Sequence, residues 1–104
     1  MEKVIVLGLP GCSHCKALIE GLDNRGILYK LLDADSNGQL ADRMESLLKT
    51  NEYPIVIVEG TQGSTYFYRV DSYEEAKSSP VAYATKVGCV SIDSMIEQIK
   101  KNNK

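Results

Sequence analysis

The chain has 104 residues, of which 43% are hydrophobic and 25% charged, and a formal net charge of -2. This length and composition are typical of one soluble globular domain and exclude a disordered or fibrous chain. The near-neutral charge, with no basic block apart from the final KKNNK, argues against a nucleic-acid partner. We therefore expect a single domain over residues 1–104, with an excursion at about residues 71–87.

The beginning of the chain predicts no targeting or membrane segment. Its apolar run, Val4–Leu7, is much shorter than the core of a signal peptide or a membrane-spanning helix. The 3 cysteines include a pair at C-x-x-C spacing, which favours redox or metal chemistry over a disulfide-stapled secreted fold. We expect a cytoplasmic protein with no membrane association.

The first third of the chain predicts a strand, a helix and a second strand. Val4–Leu7 is typical of a strand covered on both faces. The helix that follows ends near Gly26, and its apolar face repeats at i, i+3, i+4 and i+7: Cys15, Leu18, Ile19 and Leu22. Ile27–Leu32 then predicts a strand parallel to the first, because a succession of this length is a right-handed crossover.

The middle of the chain predicts a second helix and an antiparallel pair of strands. The helix covers about residues 39–49, with an apolar face made of Leu40, Met44, Leu47 and Leu48. Pro54 then opens a third strand, Ile55–Val58. The turn EGTQG joins this strand to a fourth, STYFYRV, with which it should pair antiparallel.

The last third predicts an irregular excursion followed by a helix. The segment from Asp71 to Val87 lacks a strong period and contains Pro80, so we expect a loop with one helical turn near YEEAK. Ser91 is a good N-cap residue for the final helix. The apolar positions of that helix are Ile92, Met95, Ile96 and Ile99.

The cysteine pair lies between the first strand and the first helix. Cys12 falls at the helix start, where unpaired N–H groups and the helix dipole favour a thiolate. Cys15 falls one turn later on the apolar face, shielded but within reach of Cys12. We therefore predict that Cys12 attacks and Cys15 resolves. His14, the single histidine, would stabilise the thiolate as a cation, or it is an exposed residue without a role.

A zinc half-site and two buried structural thiols are the alternatives to a redox dithiol. A closed zinc site needs four ligands, and the sequence offers only Cys89 and His14 beyond the pair, so we expect no metal. A C-x-x-C motif between a strand and a helix favours the redox interpretation.

Taken in this order, the elements resemble the thioredoxin superfamily and most closely the glutaredoxins. The shared features are the leading strand, the C-x-x-C at the first helix, the proline before the third strand, the hairpin and the last helix. The resemblance implies an α/β, thioredoxin-like fold with a four-stranded mixed sheet flanked by three or more helices. It also implies a dithiol glutaredoxin that reduces protein or glutathione mixed disulfides, with glutathione as reductant and no tightly bound cofactor.

The resemblance further implies which residues bind the substrate. Pro54 would be a cis-proline facing the dithiol, and the Tyr53 backbone would pair with the cysteinyl part of glutathione or of a peptide. Lys16 would add a positive charge for a carboxylate. The VGCVS segment would bind the γ-glutamyl carboxylate through backbone amides. Its residues in that role are Gly88, Cys89, Val90 and Ser91.

Two positions depart from the glutaredoxin pattern. Leu9 stands where many glutaredoxins have a lysine three residues before the first cysteine, and Cys89 replaces the second glycine of a glycine pair. The loop itself reads C-S-H-C where the usual glutaredoxin has C-P-Y-C. Cys89 is expected to be a small buried residue.

Two other functions stay open at this point. The chain would be a redoxin that donates electrons to ribonucleotide reductase and is recycled by thioredoxin reductase, or a glutathione-dependent iron-sulfur carrier or binding adaptor. For the leading interpretation we expect a monomer whose partners are glutathione and disulfide-containing proteins.

Overall fold

The computed structural model describes residues 3–61 and 63–102. These residues form six strands and three helices, in the following order: β1 (Lys3–Gly8), α1 (Ser13–Asn24), β2 (Lys30–Asp33), α2 (Gly38–Leu48), β3 (Ile55–Gly60), β4 (Gly63–Arg69), β5 (Ser78–Val81), β6 (Ala84–Cys89) and α3 (Ile92–Asn102). The strands make one sheet with the order β2-β1-β3-β4-β6-β5. The predicted mixed α/β class is confirmed. Gln62, in the predicted EGTQG turn, lies outside the described residues.

The first crossover is as predicted, since β1 pairs parallel with β2 and antiparallel with β3. Strand β2 starts at Lys30 rather than at the predicted Ile27. The reason is the end of α1, where Gly26 adopts a positive φ of 67°. Its N–H donates to Asp23 O, and the N–H of Ile27 donates to Leu22 O at 3.0 Å. Ile27 therefore caps the helix and is not free to pair in the sheet.

The sheet is covered on both faces. Helices α1 and α3 pack on one face over a core of fully buried side chains that includes Leu18, Leu22, Phe67, Met95, Ile96 and Ile99. Helix α2 packs on the other face through Met44 and Leu48, while the predicted Leu40 and Leu47 are only half-buried. Gly21 allows α1 and α3 to approach closely, because a Cβ there would collide with the Ile96 side chain.

The predicted four-stranded sheet and the irregular excursion are wrong, since the segment from Asp71 to Val87 supplies β5 and the first four residues of β6. Strand β6 pairs parallel with β4 and antiparallel with β5, so it inserts between them. The predicted helical turn near YEEAK is present only as two successive turns, closed by the N–H of Glu75 on Ser72 O and the N–H of Ala76 on Tyr73 O. Helix α3 consequently follows β6 and not β4.

Within the two described ranges, no helix has the length and apolar character needed to span a bilayer.

Candidate active site

Two loops meet at one end of the central strands. Because β1 and β3 are antiparallel, the carboxyl end of β1 lies beside the amino end of β3, with Leu7 opposite Ile55. The loop Leu9–Gly11 connects β1 to α1, and Tyr53 precedes β3. Cys12 and Tyr53, which are 41 residues apart in sequence, are thereby brought into contact.

Cys12 is the N-cap residue of α1, as the sequence predicts. Its Sγ accepts a hydrogen bond from the backbone N–H of Cys15 at 3.2 Å. The N–H of Cys12 donates to Leu9 O, and Gly11 makes the turn before it with a φ of 75°. The sulfur is half-buried and lies at the positive end of the helix. This position stabilises a negative charge on the sulfur.

Cys15 lies beneath Cys12 and is 6% exposed. Burial and a hydrogen bond with Cys12 raise the pKa of Cys15 to about 11. The Cys15 side chain packs against Gly8, and a Cβ at Gly8 would crowd it at 3.3 Å from Cys15 Sγ. Both cysteines are free thiols. The site therefore contains one accessible sulfur and one shielded sulfur that stays protonated at neutral pH.

The segment before β3 faces the accessible sulfur. The Tyr53–Pro54 peptide bond is cis, in agreement with the resemblance. The Sγ of Cys12 donates to Tyr53 O at 3.8 Å. The Tyr53 ring is buried and its hydroxyl donates to Glu45 Oε2 at 2.6 Å. Burial and this hydrogen bond raise the pKa of Tyr53, so the hydroxyl stays a donor and anchors the loop to α2.

His14 and Lys16 are exposed on α1. Between residues 3–61 and 63–102, the His14 side chain makes no hydrogen bond or ion pair with another described residue. Lys16 lines a groove beside Cys12. His14 is therefore near Cys12 in sequence and Lys16 near it in the groove, and neither side chain is fixed in place by a described partner.

The VGCVS segment lies farther along the sheet than the resemblance implies, because β4 separates β3 from β6. Gly88 is buried against Glu75, and a Cβ at Gly88 would collide with the Glu75 backbone carbonyl. Gly88 also lines a separate cavity of about 330 Å³. Cys89 is fully buried in the core on the α1 and α3 face, and burial raises its pKa to about 12. Val90 packs into the same apolar cluster as Tyr53. The Oγ of Ser91 accepts from the N–H of Ser94 at 3.1 Å and caps α3.

A groove of about 540 Å³ opens on the other side of Cys12 and was not predicted from the sequence. We call it the Cys12 groove, and it lies between the loop Leu9–Gly11, the outer side of α1 and strand β2. Leu31 of β2 is 55% exposed and lines it. The signal for the groove lies in the segment ILYKLL, which we predicted as a strand without its place at the edge of the sheet. Because β2 is an edge strand, its Leu31 stays exposed.

In the described part of the chain, no group of three or more His, Cys, Asp or Glu side chains is arranged to hold a metal ion.

Comparisons with known proteins match the half of the chain that contains the dithiol. The family model described as Glutaredoxin matches residues 4–62, more than half of the chain. This range includes Cys12, Cys15 and the Tyr53–Pro54 bond and ends before β4. The family resemblance drawn from the sequence is confirmed over this range.

One solved structure, the crystal structure of the glutaredoxin (grx-1) from Archaeoglobus fulgidus, is similar to the chain. The identity is 24% and the TM-score 0.47, over 54% of this chain and 66% of that chain. The chain thus spans slightly less than two thirds of that glutaredoxin. No curated protein matches the chain significantly.

Proposed function

Because this chain belongs to the glutaredoxin family, we propose that it is a thiol-disulfide oxidoreductase that uses Cys12 and Cys15 as a redox dithiol. The observation that carries the proposal is the hydrogen bond from the N–H of Cys15 to Cys12 Sγ, at 3.2 Å. It holds an accessible sulfur at the start of a helix, one turn from a second, buried sulfur. These are the positions that an attacking and a resolving thiol require.

In the first step, Cys12 attacks as a thiolate. It forms a bond to one sulfur of the substrate disulfide, and the other substrate sulfur leaves as a thiolate that takes a proton from solvent. The N–H of Cys15 and the dipole of α1 stabilise the anion before attack. His14, which is exposed at the second position of the helix, is proposed to add to this stabilisation in its protonated form. The product is a mixed disulfide on Cys12.

In the second step, Cys15 attacks the sulfur of Cys12. The Cys12–Cys15 disulfide forms, the bond to the substrate breaks, and the proton of Cys15 goes to the departing substrate sulfur. Two electrons have then passed from the dithiol to the substrate. Because burial raises the pKa of Cys15, it does not compete with Cys12 for the first attack.

Glutathione is the proposed regenerating thiol, and two molecules would reduce the Cys12–Cys15 disulfide while forming glutathione disulfide. The Tyr53 backbone beside cis-Pro54 is proposed to pair with the cysteinyl part, and Lys16 to attract a carboxylate. The amides at Gly88–Ser91 are the proposed γ-glutamyl site. A reducing compartment such as the cytoplasm is proposed, because the dithiol must be kept reduced.

The proposal is tested with Cys12→Ser and Cys15→Ser. We measure reduction of a glutathione mixed disulfide and of an intramolecular protein disulfide, each with glutathione and glutathione reductase. Cys12→Ser should abolish both activities, because the attacking sulfur is lost. Cys15→Ser should retain activity on the glutathione mixed disulfide. Its activity on the protein disulfide should fall at least tenfold, because no resolving thiol remains. Full activity of Cys12→Ser on either substrate would exclude the mechanism.

Recycling by thioredoxin reductase is a second candidate for regeneration. The observation that favours it is the pair of carboxylates, Glu20 and Asp33, in the Cys12 groove, which would repel an anionic thiol such as glutathione. The same assay with NADPH and thioredoxin reductase in place of glutathione distinguishes the two. The reductant that supports the higher turnover is the better candidate.

A further inference from the structure

We propose that the Cys12 groove binds an apolar side chain that flanks the reactive cysteine of a polypeptide substrate. The enzyme would then prefer protein disulfides with apolar neighbours over glutathione disulfides and acidic peptides. This inference rests on the proposed function, since it names the substrate class of the same dithiol.

The lining of the groove is apolar where a side chain would enter. It combines loop residues, one residue of α1 and two of β2: Leu9, Pro10, Ile19, Leu31 and Leu32. Leu31 is 55% exposed, so an entering apolar group would remove its side chain from water. The volume of about 540 Å³ is large enough for an aliphatic or aromatic side chain together with its backbone.

The distance from the attacking sulfur fits an extended polypeptide. Cys12 and Ile19 both line the groove, and Ile19 lies seven residues further along α1. Seven helical residues rise about 10 Å, the length of about three residues of an extended chain. The Sγ of Cys12 also contacts Tyr53 O, and Tyr53 does not line the groove. When a substrate cysteine is bound to Cys12, the substrate chain on one side of that cysteine can therefore pass Tyr53, and the chain on the other side can follow the groove.

The charges in the groove oppose an anionic occupant. Its ionisable side chains, other than the cysteines, are Lys16, Glu20 and Asp33, which sum to one negative charge. The Asp33 carboxylate is held in position by the N–H of Asp35 at 2.9 Å. Glutathione carries two carboxylates and no large apolar side chain, so it gains little from the apolar lining and is repelled by these acids. A neutral or basic segment with a Leu, Ile or Phe next to its cysteine fits both features.

The test uses mixed disulfides that share one chromogenic aryl thiolate as leaving group. The other half is a peptide with Leu on both sides of its cysteine, the same peptide with Glu at those positions, or glutathione. We measure kcat/KM as the second-order rate constant for release of the aryl thiolate in a single turnover, with the reduced full chain and with Leu31→Glu. Leu28→Glu is the matched control, because Leu28 is 88% exposed and outside the groove.

The wild-type chain should favour the Leu peptide over the Glu peptide by about tenfold, the effect of burying roughly half of a leucine side chain. Leu31→Glu should lower kcat/KM for the Leu peptide by a similar factor and lower it clearly less for glutathione, which loses no apolar contact and meets only the added charge. Leu28→Glu should change neither. If Leu31→Glu lowers kcat/KM equally for all substrates, or does not lower it for the Leu peptide, the groove proposal is overturned while the proposed oxidoreductase function is unaffected. Failure of the wild-type chain on every substrate overturns the proposed function itself.

A second variant keeps the proposal testable if Leu31→Glu does not fold, as judged by circular dichroism. Glu20 is exposed on α1, so Glu20→Lys removes one acid from the groove with little effect on packing. We expect it to raise kcat/KM for the Glu peptide about threefold and to leave the Leu peptide within about twofold. An unchanged preference between the two peptides would count against the groove as the binding site.

Discussion

Cys12 and Cys15 are the same amino acid, and their surroundings give them different chemistry. Cys12 lies at the first turn of α1, where it accepts an N–H and faces solvent. Cys15 points into the space above Gly8, where burial disfavours its charged form. One helical turn therefore separates an accessible sulfur suited to nucleophilic attack from a shielded sulfur suited to resolve the mixed disulfide.

We predict that Cys15 resists alkylation at neutral pH. The raised pKa, about 11 in place of 9.0, keeps it protonated, so its rate with iodoacetamide in Cys12→Ser should still be rising above pH 9. Peptide mapping by mass spectrometry separates Cys15 from Cys89. The same protein unfolded in urea is the control, and its Cys15 should react much faster at pH 8. Equal rates in the folded and unfolded chain would show that Cys15 is not shielded.

At the level of single residues, local patterns predicted positions well and long-range contacts poorly. The C-x-x-C spacing after an apolar run was enough to predict Cys12 at the helix start and Cys15 on its buried face. The bond from Tyr53 to Glu45 was not predictable, because it depends on how α2 packs against the loop before β3. The location of Gly88–Ser91 likewise depends on an insertion elsewhere in the sheet.

Among the elements, the contact between α1 and α3 leaves little room for a larger side chain. The two helices approach where Gly21 meets Ile96, and a methyl group there has no free space. Ile96 is 2% exposed and packed in the core, so it cannot simply swing away.

Gly21→Ala should lower the free energy of unfolding by about 1–3 kcal/mol, the usual cost of overpacking a core. Gly38→Ala is the matched control. Gly38 opens α2 with nothing within 4 Å of the added methyl, so this change should be neutral or slightly stabilising. Urea unfolding followed by circular dichroism measures both. Equal stability of the two variants would show that the helices can separate without cost.

Strands β5 and β6 could not be predicted because their turn has an unusual sequence. Val81 pairs with Ala84, so the connection is the two residues Ala82 and Tyr83. Ala82 adopts a φ of 50°, a conformation that is more often adopted by glycine or asparagine and whose usual signal is absent here. Pro80 also argued against a strand, but it is tolerated because β5 is an edge strand. The helices, in contrast, have clear apolar periods, and the ends that the sequence predicted lie within one or two residues of the observed ones.

At the scale of the whole molecule, the chain has the thioredoxin-like α/β fold of its family, with both buried thiols inside it. Cys15 and Cys89 titrate near 9.0 in an unfolded chain but at about 11 and about 12 when folded. Between these values the unfolded state binds fewer protons than the folded state. The stability of the reduced protein must then fall as pH rises.

We expect the free energy of unfolding to be insensitive to these thiols below pH 8 and to decrease from about pH 9 to 11. The slope from each thiol is at most about 1.4 kcal/mol per pH unit. Urea midpoints at pH 8, 9 and 10, with reductant present, measure it. Cys89→Ala should reduce the slope, whatever its effect on stability at pH 8. A slope that does not change in Cys89→Ala would contradict the assignment.

The two outer strands of the sheet also affect how copies of the molecule behave toward one another. Strands β2 and β5 have only four residues each, β5 contains a proline that lacks an N–H, and β2 carries Lys30 and Asp33. Edge strands that are short, charged or contain proline offer a neighbouring chain few backbone groups for hydrogen bonding. The native sheet therefore offers a second copy of the chain few backbone groups to which it could add a strand at either border.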